Sequence, residues 1–184
     1  LTGFLRIVIV MHCTFFINSL CHTIGSRPYN SGNSARDSAI MAVFTCGEGY
    51  HNYHHAFQHD YRNGVKPWQF DPTKWMIWVL SKLGLASNLR RVPQEKILLA
   101  EMREAQRLLE QKRVNAGLDN AEESCPLRQK AEAVLEGFSS TLSESYSLIE
   151  ESLASKVELS KAKLVEIESD IHSVVKKISK FKTV

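Results

Sequence analysis

Disulfide patterning is what this sequence most plainly lacks. Its four cysteines, Cys13, Cys21, Cys46 and Cys125, are scattered over 184 residues with no C-x-x-C pair. That excludes the dense cross-linked framework of a small secreted domain and points to a reducing compartment. A dominant charge is missing too. With 23 basic against 20 acidic residues the formal net charge is +3, too balanced for a nucleic-acid surface, so no nucleic-acid partner is expected. The chain opens on Leu1, and its first apolar run has neither the charged leader nor the small-residue cleavage site of a signal peptide. It is read as a fragment whose beginning is missing. At 43% hydrophobic residues it suffices for one domain with a core, or a small domain plus an appendage.

What is present comes in blocks. Residues 1–21, LTGFLRIVIVMHCTFFINSLC, are mostly apolar, and as a helix they would reach roughly 30 Å, about one hydrocarbon core. Arg6, His12 and Asn18 interrupt the run, and polar groups at membrane depth are costly unless they face protein, water or a ligand. The expectation is a bundle helix with a functional inner face; a buried helix of a soluble domain is the plainer alternative. Residues 23–38 are rich in Gly, Ser, Asn and Pro and predict a loop. A short apolar run, AIMAVFTCG, then leads into a histidine cluster, and a second loop follows. Asp71-Pro72 predicts a helix start and Gly84 its end. That helix carries Trp75 and Trp78, with Trp68 just upstream, and is too short to span a bilayer, which suggests an interfacial position; an amphipathic core helix is the alternative.

From Pro93 the composition turns charged and helical, with a break expected near 117–126. Ala131, Leu142, Leu153, Leu164 and Val175 recur every eleven residues, as do Leu135, Tyr146 and Val157, which predicts one apolar stripe on a nearly straight helix. Near the end Leu164, Ile167, Ile171, Val174, Ile178 and Phe181 follow the alternating steps of a coiled-coil seam. Such a tail needs a helical partner: the preceding tail helix, a second copy of the chain, or another protein. A solvated, self-associating appendage is the plain reading. Two domains are expected, 1–92 and 93–184.

The chemistry concentrates in G-E-G-Y-H-N-Y-H-H, where His51, His54 and His55 stand at i, i+3 and i+4. On a helix the three rings share a face. Imidazole suits iron, zinc, copper and nickel, so the spacing predicts a metal site without naming the metal. Zinc hydrolases with paired helical histidines usually carry a Glu between them, where this chain has Asn52 and Tyr53. Glu48 is a candidate acceptor to orient a ring, or an exposed or capping residue. Upstream, N-S-L-C-H sets Asn18 and His22 four apart on one helical face.

With those motifs in view, the run T-F-F-I-N-S-L-C-H-T-I-G-S-R-P-Y (Thr14 to Tyr29) and the run G-E-G-Y-H-N-Y-H-H-A-F-Q-H-D-Y-R-N-G (Gly47 to Gly64) resemble the C-terminal half of the stearoyl-CoA-type acyl-CoA Δ9 desaturases. W-Q-F-D-P-T-K-W-M-I-W and L-G-L-A are similar to their bacterial and cyanobacterial members. The resemblance covers about residues 3–92. It implies an all-α membrane helical bundle with a cytoplasmic histidine-box cap, followed here by the helical tail. It implies that His22, His51, His54 and His55 ligate a non-haem di-iron centre, that Asn18 holds an iron-bound water, and that Thr14 lines the acyl tunnel beside Phe15, where many relatives have Trp. His12 and His59 match no ligand position. The implied reaction inserts a cis double bond into a saturated fatty acyl chain, carried on coenzyme A or a lipid, with O2 and an electron donor such as ferredoxin or a b-type cytochrome. Two further histidine boxes lie upstream in the family, so this chain alone would hold half the ligands and be inactive. A di-iron hydroxylase and a non-catalytic membrane anchor with a coiled-coil tail are the alternatives.

Overall fold

The computed structural model describes residues 2–115, 126–155 and 159–180. Among these the chain is helical throughout, with isolated bridges but no strand, and it divides into two compact units, Leu1–Val92 and Pro93–Val184.

In the first unit α1 (Thr2–Ser19) runs into a 3-10 turn, Leu20–His22. Thr2–His22 is the one helical stretch among the described residues long and apolar enough to cross a membrane, with a mean hydropathy of 1.8 and almost no buried surface. His12, inside it, bonds through Nδ1 to Val8 O at 2.8 Å, one turn back. The segment 23–38 is a loop, as its composition predicts, but an ordered one. Asn30 and Asn33 accept from Gly32 N and Ala35 N in side-chain turns. Ser26 and Asp37 pair their backbones, and Asp37 pairs in turn with Tyr50. Gly25 sits at φ +128°, with Asp37 O where a Cβ would be, so this close approach needs glycine.

The helices α2 (Ala39–Phe44) and α3 (His51–Ala56) are six residues each. Gly49 lies against the backbone of Met41 and Ala42, which leaves no room for a side chain and brings α3's entry onto α2. The fourth helix, α4 (Pro72–Lys82), follows the predicted punctuation. Asp71 caps Lys74 N, Pro72 opens the first turn, and Gly84 takes φ +73° after the last.

The second unit holds α5 (Gln94–Asn115), α6 (Pro126–Ser155) and α7 (Lys161–Lys180). All three share one core: Leu98, Met102, Ala105 and Leu109 from α5, Leu135, Leu142 and Ile149 from α6, Ile167, Ile171, Val174 and Ile178 from α7. The predicted seam on α7 is the buried face. The described members of the eleven-residue stripes, Leu135, Leu142, Tyr146, Leu153, Leu164 and Val175, lie in or against this core, and the most deeply buried positions of α6, Leu135, Leu142 and Ile149, lie seven apart. One straight helix does not carry the stripe, because α6 ends at Ser155 and α7 starts at Lys161. A seven-residue spacing keeps one face toward neighbouring helices, and α5 supplies the neighbour. Val157 and Phe181 of the predicted stripes, the side chain of Ala131, and the break at 117–125 with Cys125 lie outside the described residues.

Candidate metal centre

Three of the expected histidines converge. His22 comes from the end of the first helix, His51 and His55 from one face of α3, and one nitrogen of each lies within 4.8 Å of the other two. His51 Nε2 stands 3.1 Å from His22 Nε2 and 3.1 Å from His55 Nε2. His54 is set beside this group. Its ring stacks on His51 with centroids 5.8 Å apart, while His51 and His55 are 4.5 Å apart. Asn18 is exposed on α1, one turn before His22. Thr14 bonds Val10 O in its own helix, and the exposed Phe15 meets His12 edge-on. Glu48 accepts from Asn63 Nδ2 at 2.7 Å.

The histidines are held by residues that spacing did not single out. No side chain of α3's own N-terminus caps it; instead Asp37, fourteen residues upstream of His51, accepts from Asn52 N at 2.7 Å and Tyr53 N at 3.1 Å. Asn52 is fully buried, and its amide is satisfied on both sides. Its Oδ1 accepts from Tyr29 N and Asn30 N, and its Nδ2 donates to Asn30 O and Ala35 O. Arg36 N donates to Cys21 O at 2.7 Å, so the loop that holds α3 also holds the residue before His22. The hydroxyl of Ser34 lies 2.9 Å from His22 Nδ1.

Burial first, and then the neighbouring imidazoles, depress the His51 pKa to about 4. His55 is lowered for the same reasons. Both rings are therefore neutral near pH 7, the form that binds a metal. In the absence of a cation the trio is frustrated. A single ring nitrogen facing two others at 3.1 Å makes one good hydrogen bond, because it has one proton or one in-plane lone pair to offer. His51 Nδ1 is also buried without a partner among the described residues. A cation accepting a lone pair from each ring relieves the Nε2 conflict, and three imidazoles are a donor set that iron takes, as do zinc, copper and nickel.

No family model matches the chain. Comparison with characterised proteins gives a consistent result. The chain is 48% identical over 108 residues to a probable acyl-CoA desaturase of Schizosaccharomyces pombe, a match that covers 59% of the chain and 22% of the relative. Its homologues are fatty acyl desaturases. Acyl-CoA desaturase 1 of Saccharomyces cerevisiae is 43% identical over 111 residues, 60% of the chain and 22% of that desaturase. The sn-1 stearoyl-lipid 9-desaturase of Anabaena variabilis is 44% identical over 87 residues, 47% of the chain and 32% of its own length. The chain thus matches only about a fifth to a third of the length of each of these desaturases. The Saccharomyces match is longer than the first unit, so the desaturase similarity reaches into α5, beyond the boundary near 92 that the motifs suggest.

Proposed function

We propose that this chain contributes one side of a non-haem di-iron centre in a membrane-bound desaturase that places a cis double bond, at the Δ9 position, in a saturated fatty acyl chain. The convergence of His22, His51 and His55 in a segment homologous to desaturases carries the reading. Hydrogen on an unactivated methylene is not acidic enough for any side-chain base. When bound, the iron pair supplies the O2-dependent oxidising power that the reaction needs.

In this reading His22, His51 and His55 would hold metal through their Nε2 atoms, with His54, stacked on His51, as a further ligand and Asn18, one turn before His22, holding a metal-bound water. Ligands beyond these come from outside the chain. Ser34 accepts the Nδ1 proton of His22, which leaves Nε2 free to bind. Asp37 and Asn52 fix the pitch of α3, so that His51 and His55 stay aimed at His22 without depending on the helix's own slight stability. Thr14 and Phe15 line the acyl path. The substrate is a fatty acyl thioester or lipid, electrons come from a ferredoxin or b-type cytochrome, α1 spans the membrane, and the histidines face the cytoplasm.

The test is a chimaera in which the matching segment of the Saccharomyces desaturase is replaced by this chain's, expressed in yeast lacking its own desaturase. Growth without added unsaturated fatty acid, with cis-monoenes seen by gas chromatography and lost in His51→Ala, is expected. A stable, membrane-inserted chimaera yielding saturated or hydroxylated acyl chains alone would sink the reading.

A further inference from the structure

We infer that the segment from Lys66 to Leu83 is a preformed docking surface for an anionic bilayer. A row of indoles, each partnered by a lysine, is its working part.

The surface is apolar where a water-facing helix should be polar. Trp68, Trp75 and Trp78 are 77%, 42% and 47% exposed. Met76, Val79 and Leu83 lie open beside them, a density of exposed large side chains that marks a binding surface. Each indole carries a cation. Lys66 Nζ lies 5.7 Å from the Trp68 ring, Lys74 Nζ 5.9 Å from Trp75, and Lys82 Nζ 5.6 Å from Trp78. Indoles settle at headgroup depth, while Lys82 and Lys66 reach along their stems toward phosphate.

Charge selects the occupant. From Arg62 to Val92 there are six basic residues and one acid, Asp71. That carboxylate is buried and committed to Asn63 N, Gly64 N and Lys74 N. Two of the bases are committed as well, Arg62 to the buried Asp60 and Lys74 to backbone carbonyls, so the charge left facing outward is that of Lys66, Lys82, Arg90 and Arg91 with no acid among them, complementary to an anionic leaflet.

The arrangement is also rigid. Lys74 is buried, and its Nζ donates to Gly64 O at 2.7 Å and Lys66 O at 3.1 Å, which ties the loop bearing Trp68 to the first turn of α4. Asp71 holds the same loop from its other end. The indoles are set before any lipid arrives, so little ordering entropy opposes docking.

The three tryptophans of the chain all lie in this segment, so intrinsic fluorescence reports on it alone. The full chain is reconstituted into phosphatidylcholine vesicles, with and without phosphatidylserine, using lipids brominated near the carbonyl or near the methyl end. Quenching by the shallow bromines should exceed that by the deep ones and should rise with phosphatidylserine. The double variant Lys66→Gln/Lys82→Gln should keep its helicity and lose the phosphatidylserine increment. Indoles shielded from acrylamide yet unquenched by either lipid would show that protein covers the surface, and indoles open to acrylamide would show that water does. Both outcomes overturn the inference, and quenching indifferent to phosphatidylserine or to the lysine substitutions overturns its anionic selectivity.

Discussion

The Tyr53 hydroxyl donates to Asp60 Oδ2 at 2.8 Å, and the same oxygen accepts from Val92 N at 2.8 Å and Arg62 Nη2 at 2.7 Å. One buried carboxylate thereby joins the histidine helix, through Tyr53 just before His54, to the last residue of the first unit. Burial pushes the Asp60 pKa up, but the bonds from Arg62, Val92 and Tyr53 outweigh it and leave the group below its ordinary value. Its contribution to stability is present above the ordinary carboxylate pKa and is lost as pH falls through the depressed one.

Asp60→Asn should therefore destabilise the first unit by about 3 kcal/mol, since it leaves the Arg62 guanidinium without its charge partner. Hydrogen exchange at the amides of 51–56 reads the loss. Protection there equal to wild type would refute the link.

Ser34→Ala should weaken metal binding by about 10- to 100-fold, the usual effect of removing a group that orients a metal-binding imidazole. Cobalt titration, followed by its visible ligand-field bands, measures it. Ser34→Thr, which keeps the hydroxyl, should restore affinity; equal affinity in all three would assign Ser34 to the loop alone.

Two groups near α3 titrate with opposite sign. The His51 pKa lies at about 4 against 6.5, so its contribution is full above 6.5 and erodes as pH falls toward 4. Asp37 is raised by burial to about 6 against 3.8, so its contribution is full below 3.8 and is lost as pH rises through 6. Their slopes oppose one another across this window. Asp37→Asn keeps the cap's oxygen but removes its titration, and the metal-free chain should then gain stability from pH 4 to 6.5 more steeply than wild type. Urea unfolding at several pH values measures both slopes.

In the second unit Leu142, about 1% exposed at the centre of the three-helix core, should cost about 2–5 kcal/mol when truncated to Ala. Thermal melting followed by helical circular dichroism gives the value. A change within error would place the core elsewhere.

The features legible in the sequence are those encoded locally. The histidine spacing, the Asp71-Pro72 start of α4 and the Gly84 stop each rest on residues within one or two turns. The groups that escaped notice act at a distance. Asn52 bonds residues 17 to 23 positions away, Asp37 caps a helix that begins fourteen residues later, and Ser34 meets a ring twelve residues back. None of the three has a residue type or spacing that marks it, since each looks like ordinary loop polarity. His54 shares the helical spacing of its neighbours but not their convergence, because three ridges at i, i+3 and i+4 span more of the helix surface than one ion reaches. On the tail, two apolar periods coexist in one stretch, and packing against α5 selects the seven-residue one in α6.

Asp37 has a temporal consequence as well. A six-residue helix is far below the roughly 12–15 residues at which an isolated helix becomes marginal in water, so α3 does not nucleate on its own. The carboxylate leaves the ribosome before the amides it will receive, and it is placed by the backbone pairing of Asp37 with Ser26, where Gly25 allows the close approach. The histidine-bearing turn thus depends on closure of that loop more than on its own sequence.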